Sequence, residues 1–418
     1  MNARVRTAVA LVAACTAALA ACSTNPDSGD GTGAGGGVKT GNGVTDTTIT
    51  IGSLTDLSGP FAAGAAVQTA EFKAYWASVN ADGGVCGRQV KLDVRDHGYD
   101  PQKAVSLYRS MATNVVGLQQ VLGSPVVAAV LPLADDDGLY VGGMGWPSVA
   151  LGYEVAQIPG TTYSLEGANA VDFLVDELHL PKGSTIGHVY FVGDYGSDAL
   201  RGSQHAAQER GVKIFPQEIT PRDTDLSAQA AALRQAGVSA VLVSTAPTQL
   251  GSLSGVLDSL GVDVPIVGNT PAFNPALLKT SAGPALNANG YSITAIAPFS
   301  HDAPGVRKAV ELYQAAAPNG ADGWEVPLAY GQGVLLRDAL DRACDAGDLT
   351  PEGLVKAMHS ASGIDADGVF PGKLDFTKAG QPATRSVFVS KVDRQVPGGL
   401  RLLTTMTGPS ASSYPVAD

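Results

Sequence analysis

The chain has 418 residues, 44% of them hydrophobic and only 16% charged, with a formal net charge of −12. That is enough apolar material for one large or two ordinary domains. An acidic chain with no basic cluster argues nucleic acid out as a partner, because phosphate contacts need Lys and Arg.

Arg4 and Arg6 precede the uncharged stretch "TAVALVAACTAALAAC", which reads as a signal peptide over residues 1–21 and is short for a membrane span. It ends in "LAAC", which resembles the bacterial lipobox. Cys22 is then the lipidated first residue of an extracytoplasmic protein anchored to the cell membrane. The alternative is a plain secretory signal with a chance cysteine. Residues 22–46 are rich in Gly, Ser, Thr and Asn and read as a tether. The "GTGAGGG" within them follows no strand and so makes no phosphate loop.

From residue 48 strand and helix signals alternate. "TTITIGSLTDL" reads as strand and "GAAVQTAEFKAYWASVNADGG" as an amphipathic helix stopped by Gly83 and Gly84. "RQVKLDVRD" alternates as a strand. Asp100 caps a helix that opens on Pro101, and "VVGLQQVLG" is the next strand. Ser124 suits an N-cap and Pro125 the first helical position of the helix that follows. "ADDDG", at residues 134–138, reads as the solvated end of that helix and lacks calcium-loop spacing. A second series runs "STIGHVYFVGD", "SDALRGSQHAAQERG", "VKIFPQEI", "TDLSAQAAALRQAG", "VSAVLVST", "PTQLGSLSGVLDSLG" and "VPIVGN". Three more helices follow, and "GKLDFTKAG" with "TRSVFVSKV" reads as a closing hairpin. The fold class is therefore α/β, with two doubly wound parallel-sheet lobes and a cleft between them.

Cys15 leaves with the signal, so Cys86 and Cys344 remain as a pair in an oxidising compartment. A disulfide is favoured over two separate buried thiols. No cysteine–histidine spacing meets the ligand count of a metal site. "GDYGSDAL" is no nucleophile elbow, His188 lies in a strand pattern, and neither a metal cluster nor a dinucleotide fingerprint supports an enzyme. No cofactor is expected.

"ITIGSLTDLSGPFAAGAAV", "VNADGGVCGRQVKLDVRDHGYDPQKAV" and "VYFVGDYGSDAL" together resemble the type I periplasmic binding proteins, specifically the leucine/isoleucine/valine-type substrate-binding subunits of ABC importers. The resemblance covers about residues 48–405. It implies two lobes joined by a three-crossing hinge: lobe I at 47–165, lobe II at 166–295, returning helices of lobe I at 296–370, closing strands of lobe II at 371–408 and a tail at 409–418. It also implies a monomer that captures a small molecule by closure and delivers it to ABC permease subunits. A sensor of the same fold signalling to a membrane receptor is the alternative.

Amino-acid binders of this family grip the ligand carboxylate with hydroxyls at the helix start after the third strand. Here those positions fall in Val127, Ala128 and Ala129, and only Ser124 keeps a hydroxyl nearby. Trp146 stands near a second expected hydroxyl, and Asn269 or Thr270 replaces the acid that holds the ammonium. Phe61, Tyr195, Thr245 and Trp324 complete the candidate ligand contacts. A zwitterion brings two charges that are costly to desolvate unpaired. The expected ligand is therefore less polar than a free amino acid: apolar or aromatic, such as a carboxylic acid or amide. A standard branched-chain amino-acid binder is the competing reading.

Overall fold

The computed structural model describes residues 37–416. The stretch read as a signal peptide, Cys15, the lipidation candidate Cys22 and most of the segment read as a tether lie outside those residues.

Five parallel strands form the first sheet, in the spatial order Gln89–Asp96, Thr48–Thr55, Gly117–Leu122, Tyr140–Met144 and Ala156–Gln157. The second sheet runs Lys213–Ile219, Thr185–Phe191, Ala240–Ser244, Ile266–Asn269 and Gly290–Thr294, all parallel. It is completed by the antiparallel strands Val387–Val392 and Leu400–Met406. The parallel part of each sheet thus has chain order 2-1-3-4-5, the doubly wound arrangement expected from the alternating pattern. In each, the order reverses between the first and third strands, which opens a crevice at their carboxyl ends.

Apolar side chains on both faces of the strands hold the helices down. Ile49 and Ile51 pack with Tyr75, Trp76 and Val79 of the helix Ala62–Ala81. Ile186, Leu242, Val267 and Val389 pack with Leu165 and Phe173 of the helix Tyr163–Asp176. That second helix had no sequence signal. Every residue from Tyr163 to Leu174 is buried, so no polar stripe alternates with an apolar one.

Three expectations need correction. The chain does not close by pairing residues near 375 with those near 390. Leu374–Asp375 pairs with Ser362–Ile364, while Val387–Val392 pairs with Leu400–Met406. The Val387 strand is buried along most of its length with a neighbour on each edge, and a two-residue strand is too short to supply one. Residues 409–418 are not simply a tail. Pro409–Ser413 is helical, and Asp172 holds it by accepting bonds from the Ser410 amide (2.9 Å), the Ser410 hydroxyl (2.8 Å) and the Ala411 amide (3.3 Å). Arg210 lies 3.5 Å from the same carboxylate. Finally, the third-strand helix spans Ser124–Asp136, so Gly123 and not Ser124 occupies the N-cap.

Cys86, in the turn after the first helix, meets Cys344 near the end of the helix Glu325–Asp345. Their Cα atoms are 6.4 Å apart, within the span of a disulfide.

Candidate functional site

A cavity of about 240 Å³ lies where the carboxyl ends of the two sheets face each other. Pro60 and Phe61 follow the first strand of the first sheet, and Gly123 and Ser124 follow its third. Tyr195 follows the first strand of the second sheet, and Pro247 and Thr248 its third. Both crevices therefore open into one space, which is where open α/β sheets hold ligands.

Two aspartates set the first wall. Asp96 accepts bonds from the amides of Leu57 and Gly98 (2.9 Å each) and from the Ser58 hydroxyl (2.7 Å). Burial pushes its carboxyl up, but the Ser58, Leu57 and Gly98 bonds outweigh that and hold it below the ordinary carboxylate value. Asp56 accepts from the Phe61 amide at 2.9 Å. This locks the turn so that Phe61 meets Tyr99, with ring centroids 5.1 Å apart. Tyr99 sits at φ 64°, a left-handed conformation fixed by its amide donating to His97 Nδ1 at 3.0 Å. Its ring crosses Gly123, where a Cβ would collide with it; Gly123 itself sits at φ +98°.

The second wall is built on a buried acid. Glu166 accepts from the Thr270 hydroxyl (2.8 Å) and amide (3.2 Å). Burial pushes its carboxyl up to about 8 despite those bonds. The Tyr195 hydroxyl donates to Asn269 Oδ1 at 2.8 Å, and its ring meets Tyr163 edge-on with centroids 4.6 Å apart. Burial, with Tyr163, Glu166 and Tyr99 near, raises the Tyr195 phenol well above its usual value, so it stays a neutral donor. The lobes also touch directly. The Trp324 indole N–H donates to the Phe273 carbonyl at 3.0 Å, and Asn274 Nδ2 donates to Glu325 Oε1 at 3.3 Å.

Of the residues singled out in the sequence, Phe61, Ser124, Tyr195, Thr270 and Trp324 line the cavity. The others do not. Val127 is 3% exposed inside the core and Ala128 points to solvent, since the helix turns those positions away from the cleft. Trp146 is 0% exposed, its indole N–H donating to the Gly143 carbonyl at 2.8 Å, and its ring stacks behind Tyr163. Thr245 is buried with its hydroxyl donating to the Ala246 carbonyl, and the wall forms two residues further on, at Pro247. Asn269 stands behind Tyr195 as its acceptor.

Sequence reading missed Tyr99, Tyr163, Gln68 and Glu325, all of which line the cavity. The Gly98–Tyr99 turn before Asp100 was the one available signal for the first. Among the described residues no Lys, Arg or His lines the space. Five aromatic rings, a few hydroxyls and one carboxyl would surround a guest.

A family model described as periplasmic binding protein matches residues 48–397. The Leu/Ile/Val-binding protein homolog 3 of Brucella melitensis is 24% identical over 359 residues, covering 82% of this chain and 91% of that protein. A solved structure titled as a fatty acid ABC transporter substrate-binding protein from Thermomonospora curvata is 40% identical, with a TM-score of 0.87 over 91% of this chain and 97% of its own. A branched-chain amino acid ABC transporter protein from Thermus thermophilus with bound valine shares the fold at 17% identity, with a TM-score of 0.78 over 88% of this chain and 98% of its own.

Proposed function

The chain belongs to the periplasmic binding protein family, as a type I member of the leucine/isoleucine/valine-binding kind, and from that premise we propose that it captures an apolar monocarboxylic acid for an ABC importer. In this reading the mature protein is a monomer tethered outside the cell membrane through Cys22. It closes its lobes on the acid and hands it to the permease, acting by binding and not by catalysis.

The observation that carries the ligand class is the wall itself. Phe61, Tyr99, Tyr163, Tyr195 and Trp324 surround a space that no Lys, Arg or His among the described residues lines. Such a wall rewards burial of hydrocarbon and offers an amino-acid zwitterion poor solvation for its two charges. A dry cavity of about 150 Å³ holds a benzene ring. The space here suits a guest about half as large again, such as a medium-chain or aromatic acid. The Thermomonospora relative, titled a fatty acid binder, points the same way. The relatives named for leucine, isoleucine and valine support an amino-acid guest instead.

A thermal-shift series separates the two. Bound ligand stabilises by about 2.7 kcal/mol at a hundredfold excess over Kd. Octanoic or phenylacetic acid should raise Tm by several degrees, and leucine and valine should leave it unchanged. A large shift with leucine and none with the acids would overturn the proposal.

A further inference from the structure

We propose that the cleft takes up its acid together with one proton, shared between the ligand's head group and Glu325. This rests on the reading above that the guest is an apolar carboxylic acid.

Glu325 opens the helix Glu325–Asp345, lines the cavity and is 4% exposed. Its carboxyl lies against the backbone of Gly64 and Gly323. A carbon added at Gly64 would come within 2.7 Å of Oε1, and one at Gly323 would strike Oε2. Oε1 receives the single long bond from Asn274, and Oε2 has no partner among the described residues. Some neighbouring polar groups are already engaged. Tyr195 is given to Asn269, Thr270 to Glu166, and Gln68 Oε1 accepts from Gln120 at 2.8 Å. Gly145 packs against Ser124, where an added Cβ would lie 2.9 Å from the Ser124 amide nitrogen. Among the lining residues described, Glu325 Oε2 is the one fully buried polar atom without a partner, and the hydroxyls of Ser124, Tyr99, Tyr163 and Thr248 add donors for the same head.

A carboxylate head beside an ionised Glu325 would place two like charges in a closed space where no described lining residue is a cation. One proton between them converts that repulsion into a short charge-assisted hydrogen bond. The surroundings favour the proton. Burial pushes Glu325 up to about 7, against the lowering bonds from its own backbone amide and from Asn274. The Tyr313 phenol faces Asp322, Glu325 and Glu71, and burial raises Asp322 as well. Around the rest of the cavity the titratable groups are Tyr99, Tyr163, Tyr195 and, behind Thr270, Glu166. Every one is an acid or a phenol. Below about pH 7 a neutral Glu325 meets the ligand's carboxylate directly. Above it, each ligand bound draws one proton from solvent.

The test is calorimetric titration of the intact protein with octanoic acid between pH 6 and pH 9, in buffers of different ionisation enthalpy. Uptake should approach one proton per ligand at pH 8 and fall away at pH 6. Kd should rise about tenfold per pH unit above the Glu325 midpoint, because only the protonated fraction is competent. Glu325→Gln should bind with a flat pH profile and no uptake. Octanamide with the unaltered protein gives the same control without a variant. A constant Kd for octanoic acid from pH 6 to 9 with no uptake would overturn this inference and leave the acid-binding reading standing. Octylamine binding more tightly than octanoic acid would also overturn it, since an ionised Glu325 would then be pairing with a cation. Failure of every carboxylic acid to bind removes both.

Discussion

Asp172 and Glu325 are both carboxyls buried in helices, yet the protein treats them in opposite ways. Asp172, behind the second sheet, accepts three hydrogen bonds from the Pro409–Ser413 segment and has Arg210 alongside. Glu325, at the cleft, receives one long bond and keeps an oxygen free. A satisfied buried acid fastens structure, whereas an unsatisfied one at a cavity wall costs stability until something enters. The contrast separates a group that fastens the chain's last helix to the second sheet from one left partly unpaired at the cleft.

The largest effect expected from breaking that contrast is on the satisfied side. Asp172→Ala strands the Ser410 and Ala411 donors and should lower unfolding free energy by roughly 3 kcal/mol, about 1 per lost bond, in urea titrations. Ligand affinity should hardly change. A loss of binding equal to the loss of stability would show that the clasp and the cleft are one unit.

Glu71 sharpens the comparison from another angle. It is 0% exposed, neither oxygen has a partner among the described residues, and burial pushes it up to about 9. A carboxyl raised in the folded state contributes fully below its unfolded value and loses that contribution as pH climbs through the folded one. For Glu71 the window runs from about 4.5 to about 9. Stability of the ligand-free protein should therefore fall across that range. Glu71→Gln should recover roughly 2 kcal/mol at pH 9, since it no longer buries a lone charge. An unchanged pH profile of Tm in that variant would rule this out.

The smallest effect belongs to the cleft. Trp324→Phe keeps an aromatic wall but removes the donor to the Phe273 carbonyl across the lobes. Fluorescence titration with octanoic acid should give a Kd about tenfold weaker, with Tm of the free protein within a degree or two of the parent. Equal affinity in the two proteins would mean that this contact does not help hold the closed form.

Much of the fold was legible because the strands alternate or run apolar and the helices carry stripes, as in "RQVKLDVRD" or Pro101–Met111. The helix Tyr163–Asp176 was hidden because it is buried on nearly all sides, and one of the missed groups, Tyr163, stands on it. The site was legible at positions next to strand ends, such as Ser124 and Tyr195. It failed one helical turn later, at Val127 and Ala128, where the direction of the helix decides what faces the cleft. Glu325 gave no signal, since an acid in a first helical turn ordinarily answers the helix dipole. Only tertiary burial reveals that its second oxygen has nothing to bind.

The Asp172 clasp also bears on how the chain folds. Asp172 must wait for partners at 410–411, and the second sheet must wait for the strands at 387–406. The first lobe in turn waits for the helix beginning at Glu325, which supplies Leu336, Ala339 and Leu340 to the core around Ile49. Neither lobe can be finished from a contiguous stretch of sequence. Contacts this distant in sequence favour slow folding that completes only after the whole chain has emerged. A chain crossing a membrane in extended form would benefit from that order, because it stays unfolded until its last segment arrives.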